Sequence, residues 1–464
     1  MTIASEEEIG SHETQDMSEL RALNSEFNVV NEPKLATLVN SLPSASAPFQ
    51  RWLKYREGYA PEIVDRAIAE SEKSASLPLD KGTLLDPFSG GGTSLVVARR
   101  HGLDSLGYEV NPVIAQLSRA KTHNYSSTDF LVVDQAIADI RQLTDQSPQA
   151  KTPELKILQK VFRPDVLAIL LSMRYVIDGI ENYRARDLLK VAWVSILEGV
   201  SNTFKEGNGI KYRNRKRTKN GYVQVPWEQV PGYLLPARET CIDRFINQID
   251  MMINDVQSFP ANGIEPAIRE RSSVASLSEI ESNSIDVSVF SPPYCNNFNY
   301  FKAFKIELWM GGYVENYSHL KQLTDTALRS HVELDLSELN DQQEETLPTE
   351  LLSIVSTLRS RKLWSRKLPD SVLAYFFDMH RIINEVNRVL KPGALAHIVV
   401  GNSAYAGLIV PTDLFIASMA RELGMTVERI EVARALTTSP QQRRLIPREN
   451  QKLLRESVLV LRSS

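Results

Sequence analysis

Two hydrophobic rhythms alternate between residues 82 and 123. Short apolar runs at 82–88 (GTLLDPF) and 104–110 (DSLGYEV) read as strands. The segments after them, 93–102 and 111–123, carry apolar positions at helical spacing. Gly102 closes the first helix; Asn111 caps the second and Pro112 opens it. Strand–helix–strand–helix predicts a parallel sheet covered on both faces, a doubly wound, Rossmann-like α/β fold.

The rhythm then lapses. Residues 124–265 hold two amphipathic helices (PDVLAILLSMRYVIDGI and ARDLLKVAWVSILEGV), a basic stretch and a further helix, ARETCIDRFINQIDMMINDVQ. Strands resume at AIRERSSV and at SIDVSVF (284–290). A second polar interruption, 313–370, precedes helix YFFDMHRIINEVNRVL, stopped by KPG. Strand ALAHIVVGN, helix PTDLFIASMARELG and strands MTVERIEVAR and ESVLVLR complete the pattern. No internal repeat is visible. The expected organisation is a flexible acidic tail (1–45) with room for one short helix, one α/β domain in two parts (46–123 and 266–464), a helical and basic insertion (124–265) and a smaller insertion (313–370).

Composition adds exclusions. With 42% hydrophobic and 24% charged residues and a net charge of −4 over 464 residues, the chain reads as globular, without a global basic field. Only a local basic patch could attract phosphate. Two cysteines, Cys241 and Cys295, offer neither a disulfide framework nor metal spacing, which favours a reducing cytoplasm. The acidic opening lacks the apolar core of a secretory signal, and no apolar run approaches the roughly 18 residues of a membrane span. The seven histidines show no metal spacing, so no metal is expected.

LLDPFSGGGTS puts Asp86 at a strand end, followed by Gly90-Gly91-Gly92 and a helix. Glycines there allow a sharp turn and close backbone approach to a ligand, and the helix start offers free N–H groups. No lysine precedes Thr93-Ser94, so this is not a Walker loop, and Leu95 breaks the dinucleotide fingerprint. Glu109, at the end of the next strand, has the chemistry to accept hydrogen bonds from ribose hydroxyls. Loop and acid together point to a nucleoside-containing cofactor.

FSPPYCNNFNY follows the apolar run IDVSVF. Two prolines cannot continue a central strand or a helix, so they form a rigid turn with fixed carbonyls. In a doubly wound sheet this strand lies beside the first, so Ser291-Pro292-Pro293-Tyr294 would emerge next to the glycine loop, where ligands bind. A serine hydroxyl and a fixed carbonyl can accept both hydrogens of an exocyclic amine, and a tyrosine can stack on a ring. That arrangement grips an amino-bearing base.

DPFSGGGT together with SPPY resembles the S-adenosylmethionine-dependent DNA amino-methyltransferases, which methylate cytosine N4 or adenine N6. The resemblance spans roughly residues 49–123 and 267–464 and implies a seven-stranded methyltransferase sheet. It assigns the S-adenosylmethionine site to Asp86, Pro87, Phe88, Ser89, Gly90, Gly92, Thr93, Glu109 and Asn111. Tyr55 joins them from FQRWLKYREGYAPEIV, which looks like the family segment that closes over the methionine moiety. It assigns catalysis to Ser291, Pro292, Pro293 and Tyr294. Serine at the first position is commoner in members similar to N4-cytosine enzymes, which favours cytosine over adenine. Two departures stand. The motif order is unpermuted although the glycine motif looks most like permuted members. AIRERSSV also lacks the acid many relatives place there, leaving Ser272 or Ser273 as substitutes.

Cys295 follows the tyrosine, and amine methylation needs no thiolate, so it is expected to pack rather than react. Lys205, Lys211, Arg213, Arg215, Lys216, Arg217 and Lys219, interleaved with Tyr212, Tyr222 and Trp227, are the expected contacts to double-stranded DNA. Arg359, Arg361, Lys362, Arg366 and Lys367 around Trp364, and Arg443-Arg444, form further clusters. Phe298, Tyr300 and Phe301 read equally as flanking a base or packing a helix, and Asn402 as substrate contact or strand cap. A cognate restriction nuclease as partner, the N6-adenine reaction, guanine-N2 methylation of tRNA and a non-catalytic DNA-binding protein on this fold all stay open.

Overall fold

A computed structural model describes residues 18–464, apart from 56–57, 76–78, 80, 207–208, 220, 227–237, 260–262, 335, 337–345, 439 and 449. Trp227 lies outside the described residues. Eight strands form the main sheet: β1 (Val29–Asn31), β2 (Thr83–Asp86), β3 (Asp104–Tyr108), β4 (Ala267–Arg269), β5 (Ile285–Phe290), β6 (Leu390–Gly401), β7 (Thr426–Ala435) and β8 (Arg455–Arg462). Their order is β1-β7-β8-β6-β5-β2-β3-β4. Among them only β8 runs antiparallel to its neighbours, β6 and β7.

Helices cover both faces: α1 (Ser18–Ser25), α2 (Pro61–Ala75), α3 (Thr93–Arg100), α4 (Pro112–Thr122), α5 (Ser127–Arg141), α6 (Pro164–Asp178), α7 (Tyr183–Ile196), α8 (Arg238–Ser258), α9 (Thr349–Ser360), α10 (Leu368–Val389) and α11 (Thr412–Glu422). One core buries α10 and α11 against the sheet, with Phe290, Phe376, Phe415 and Ile398 almost fully enclosed. A second core joins α4 to α5–α8 and to residues 301–314, around Trp193, Phe245 and Trp309. The helices α5–α8 of the 124–265 segment are therefore packed onto the α/β body. Asp255 of α8 fastens this junction, accepting from the Phe49 amide at 3.0 Å and Trp52 Nε1 at 2.9 Å and pairing with Arg51.

Some expectations change. Residues 18–31, expected in a flexible tail, are ordered into the body: α1 buries Leu20 and Leu23, and β1 pairs in parallel with β7. Leu20, Leu23 and Phe27 supply an apolar stripe just long enough for that docking. The added strand extends the expected seven-strand core. AIRERSSV yields only the three residues of β4, because Arg271 N turns back on the Arg269 carbonyl (2.9 Å) and Ser273–Ser276 form a helical turn. β6 begins at once after α10 and runs through KPG, with an irregularity between Leu390 and Leu395 and Gly393 at φ 78°. No helix among the described residues is long and apolar enough to cross a membrane.

Candidate active site

β2 pairs with β5 on one side and β3 on the other, so the ends of these strands open together. A cavity of about 260 Å³ lies at this opening. It is walled by Tyr55, Pro87, Phe88, Glu109 and Asn111 on one side and by Ser291, Pro292, Pro293 and Tyr294 on the other. The structure thus brings the glycine-loop strand ends and the proline-pair loop, some two hundred residues apart in sequence, into one chamber.

The remaining predicted cofactor residues, Asp86, Ser89, Gly90, Gly92 and Thr93, do not line the cavity; they form the strand end and turn that carry Pro87 and Phe88 into it. Asp86 is buried, accepting from the Phe88 amide at 2.9 Å, from Tyr59 at 3.3 Å and from Ser94. Burial pushes its carboxyl up to about 6, against these hydrogen bonds. Ser89 is tied to the Tyr108 carbonyl through both its amide (2.9 Å) and its hydroxyl (3.1 Å). Thr93 Oγ1 reaches Gln50 at 3.3 Å. Gly92 takes φ 78° as the residue before α3, and a Cβ there would collide with the Ser118 hydroxyl. A Cβ on Gly90 would come within 2.9 Å of the Tyr55 hydroxyl, so Tyr55 lies directly over the loop. Beneath it, buried Lys121 donates to the Gly91 carbonyl at 2.8 Å, and burial lowers its ammonium to about 7. No sequence cue marks Lys121, whose position in α4 reads as an ordinary surface lysine.

Glu109 and Asn111 present the polar groups. Burial, and to a lesser degree the charge of Asp86, push the Glu109 carboxyl up to about 7, against hydrogen bonds from the Asn111, Gly90 and Val110 amides. Asn111 caps α4, its Oδ1 accepting from the Val113 amide at 3.1 Å. Its buried Nδ2 has no partner among the described residues. A donor and an acceptor are therefore offered to whatever fills this side of the cavity.

On the other side, Tyr294 donates to Glu456 Oε1 at 2.7 Å, and Arg434 Nε donates to Glu456 Oε2 at 2.5 Å. Glu456 and Arg434 also line the cavity, as do Ser330 and His331 from the smaller insertion. No motif marks these four in the sequence, where each sits in an unremarkable strand or polar segment. The 327–334 stretch is clamped over the site: Arg329 pairs with buried Asp378 (2.6 Å) and the Val332 amide meets Asn297 at 2.9 Å. Burial lowers His331 to about 4, so its imidazole faces the cavity neutral. Arg271, Ser272 and Ser273 close the wall near Glu109.

Phe298, Tyr300 and Phe301 all border the cavity, and Phe301 also packs in the second core. Cys295 is buried in the first core, its thiol pushed up to about 12 by burial and its carbonyl accepting from Tyr405 at 2.7 Å. Asn402 is a strand cap: its side chain bonds Asp413 (2.7 Å) and the Leu453 carbonyl (2.8 Å), away from the cavity. Among the described residues no cluster of His, Cys, Asp and Glu could hold a metal.

In the basic segment, residues 203–206 pair antiparallel with 209–212, and 215–218 with 221–224. Lys211, Lys216, Arg217 and Lys219 are exposed, and Tyr222 is 60% exposed beside Arg215. Lys205 departs from expectation. Its ammonium pairs with buried Glu307 at 2.7 Å over the Phe304 ring, so it serves packing and not an external phosphate. Arg213 and Arg215 lie over Phe204, and Arg215 also reaches Glu206 at 3.5 Å. In the other clusters Trp364 is 63% exposed among Lys362, Arg366 and Lys367, while Arg361 is bound to the Ala406 carbonyl.

No family model matches the chain. It is 28% identical over 415 residues to "Type II methyltransferase M.AvaI" of a Nostoc strain and of Anabaena variabilis, covering 85% of this chain and 83% of the relative. The type II methyltransferase M.BsoBI of Geobacillus stearothermophilus is 28% identical over 426 residues, 83% of this chain and 80% of its own. M.MvaI of Kocuria varians is 24% identical over 359 residues, with 73% and 74% covered. A solved geranyl diphosphate methyltransferase in complex with GPP and sinefungin aligns at a TM-score of 0.31 and 7% identity, over 96% of this chain and 93% of that one. That likeness is too slight to bear on either fold or function.

Proposed function

We propose that this chain, a member of the S-adenosylmethionine-dependent DNA methyltransferases, methylates the exocyclic N4 amine of a cytosine turned out of double-stranded DNA. At the coarser level it is a site-specific DNA methyltransferase that uses S-adenosylmethionine, as its type II relatives indicate. The observation that supports methylation of an exocyclic amine is the shared cavity, with Glu109 and a buried Asn111 Nδ2 that has no partner among the described residues at one wall and Ser291–Tyr294 at the other; the choice of cytosine over adenine rests on serine at the first position of SPPY.

Those residues fit the cofactor. Glu109 would accept from ribose hydroxyls, Asn111 Nδ2 would donate, and Tyr55 would cover the methionine end above the glycine loop. When bound, S-adenosylmethionine supplies an electrophilic sulfonium methyl. The chain's own work is on the nucleophile. An aromatic amine shares its lone pair with the ring, and hydrogen bonds from its N–H groups to Ser291 Oγ and the Pro292 carbonyl favour a more tetrahedral, reactive nitrogen. Pro292 and Pro293 lock that carbonyl's direction, so the acceptors are arranged before the base arrives. Tyr294 and the aromatic wall exclude water and offset part of the few kcal/mol of unstacking a base. Positioning supplies the rest of the rate. Lys211, Lys216, Arg217 and Lys219 would meet phosphates. A nuclease sharing the recognition site would be the natural partner.

Mass spectrometry of nucleosides from DNA incubated with methyl-labelled cofactor tests this, beside a Ser291→Ala, Tyr294→Ala double variant. Label in N4-methylcytosine, lost in the variant, is the expected result. Label in N6-methyladenine would overturn the base assignment, and label in tRNA alone would overturn the substrate class.

A further inference from the structure

Three neighbouring strands meet at one row behind the proline-pair loop. Glu456 of β8 is the register partner of Gly401 on β6 and of Arg434 on β7. Gly401 has no side chain, and the Tyr294 ring occupies the space: a Cβ there would lie 2.6 Å from the ring. With its ring seated on Gly401, Tyr294 reaches one oxygen of Glu456 with its hydroxyl while Arg434 holds the other. Ser291, three residues before the tyrosine, lines the same cavity. A chain of hydrogen bonds therefore runs Tyr294–Glu456–Arg434, with every member at the cavity wall.

A carboxylate only 4% exposed is costly to bury, and the fold keeps it compensated by an arginine and a phenol rather than replacing it with an apolar residue. A charge-assisted hydrogen bond fixes both the distance and the direction of its donor. Without it, the Tyr294 ring would have only the flat Gly401 surface to define its angle.

We infer that Glu456 is a positioning residue for methyl transfer, holding Tyr294 in the orientation that receives the target base. This rests on the reading of the cavity as the site of DNA base methylation. Glu456 touches neither base nor cofactor in this role.

The test compares E456L, E456Q, Y294F and the E456L/Y294F pair in steady-state transfer to DNA, with cofactor affinity measured by calorimetry. E456L keeps the volume but loses the acceptor, and kcat is expected to fall about ten- to hundredfold, as for loss of one charge-assisted hydrogen bond. Cofactor affinity stays unchanged. E456Q retains an acceptor and stays within about threefold of wild type. In the Y294F background, E456L costs nothing further, which a merely structural residue would not show. Wild-type kcat in E456L, or an equal loss with and without the tyrosine hydroxyl, overturns the proposal alone. Should E456L not fold, Y294F removes the same hydrogen bond from its other end, and an undiminished kcat there overturns it. Wild-type protein that binds cofactor yet methylates no DNA overturns the functional reading, and this proposal with it.

Discussion

Cofactor affinity should depend on pH through Glu109. Its carboxyl, raised to about 7, must be ionised to accept two ribose hydroxyls, so binding pulls a proton off the free protein below that pH. At pH 5.5, 1.5 units below, only about 3% of the free protein carries the ionised form. If the bound carboxyl returns to the ordinary range, affinity at pH 5.5 is about 30-fold weaker than on the plateau above pH 8, or about 2 kcal/mol. Near pH 6 about one proton is released per cofactor bound. Calorimetry with S-adenosylhomocysteine in two buffers of different ionisation enthalpy measures both quantities. E109Q should flatten the curve between about pH 6.5 and 8, where Asp86, raised only to about 6, is already mostly ionised. A flat wild-type profile from pH 5.5 to 8, or an E109Q slope like that of wild type above about pH 6.5, would refute the reasoning. The stability of the cofactor-free protein should move the opposite way. A carboxyl raised on folding contributes stability that is fully present below its unfolded value near 4.5 and lost as pH rises through about 7. For Glu109 this is at most about 3 kcal/mol, reduced because the carboxyl opens onto the cavity.

Replacing Lys216, Arg217 and Lys219 together by Ala should weaken DNA binding and lower the magnitude of the log K–log salt slope, by about 0.9 for each phosphate no longer neutralised; Lys205→Met should leave that slope unchanged but lower the melting temperature. Titration of fluorescent DNA at several salt concentrations separates the two. Gly92→Ala should destabilise by about 1–2 kcal/mol from left-handed backbone alone, with more from the clash with Ser118, read from denaturant melts. Cys295→Ala should keep kcat while losing about 1–2 kcal/mol of stability, since a thiol held near 12 offers no thiolate at working pH; a large kcat loss in a folded Cys295→Ala protein would reopen covalent chemistry.

The strand-loop-helix at Asp86–Thr93, the acid-ended strand at Glu109 and the strand that delivers Ser291–Tyr294 are legible in the sequence because each is a local device. Glycines relieve a turn, Asn111 and Pro112 start a helix, and paired prolines end a strand, all within a few residues. Local pattern likewise identifies Cys295 as a packing residue from its neighbours' chemistry. It does not reveal partners separated by long stretches of chain. Lys205 looks like any other lysine in a basic run until Glu307 and Phe304 fold against it. Asn402 reads as either a rim contact or a strand cap until Asp413 and Leu453 claim its side chain. Glu456 and Arg434 sit in strands whose alternation says only that they are strand residues. Their adjacency to Tyr294 comes from β8 slotting antiparallel between β6 and β7, a pairing set by the register of the whole sheet. Short-range conformational preference is written residue by residue, whereas the electrostatics of a buried group depends on which distant segments exclude water around it, and those segments meet only in the folded chain.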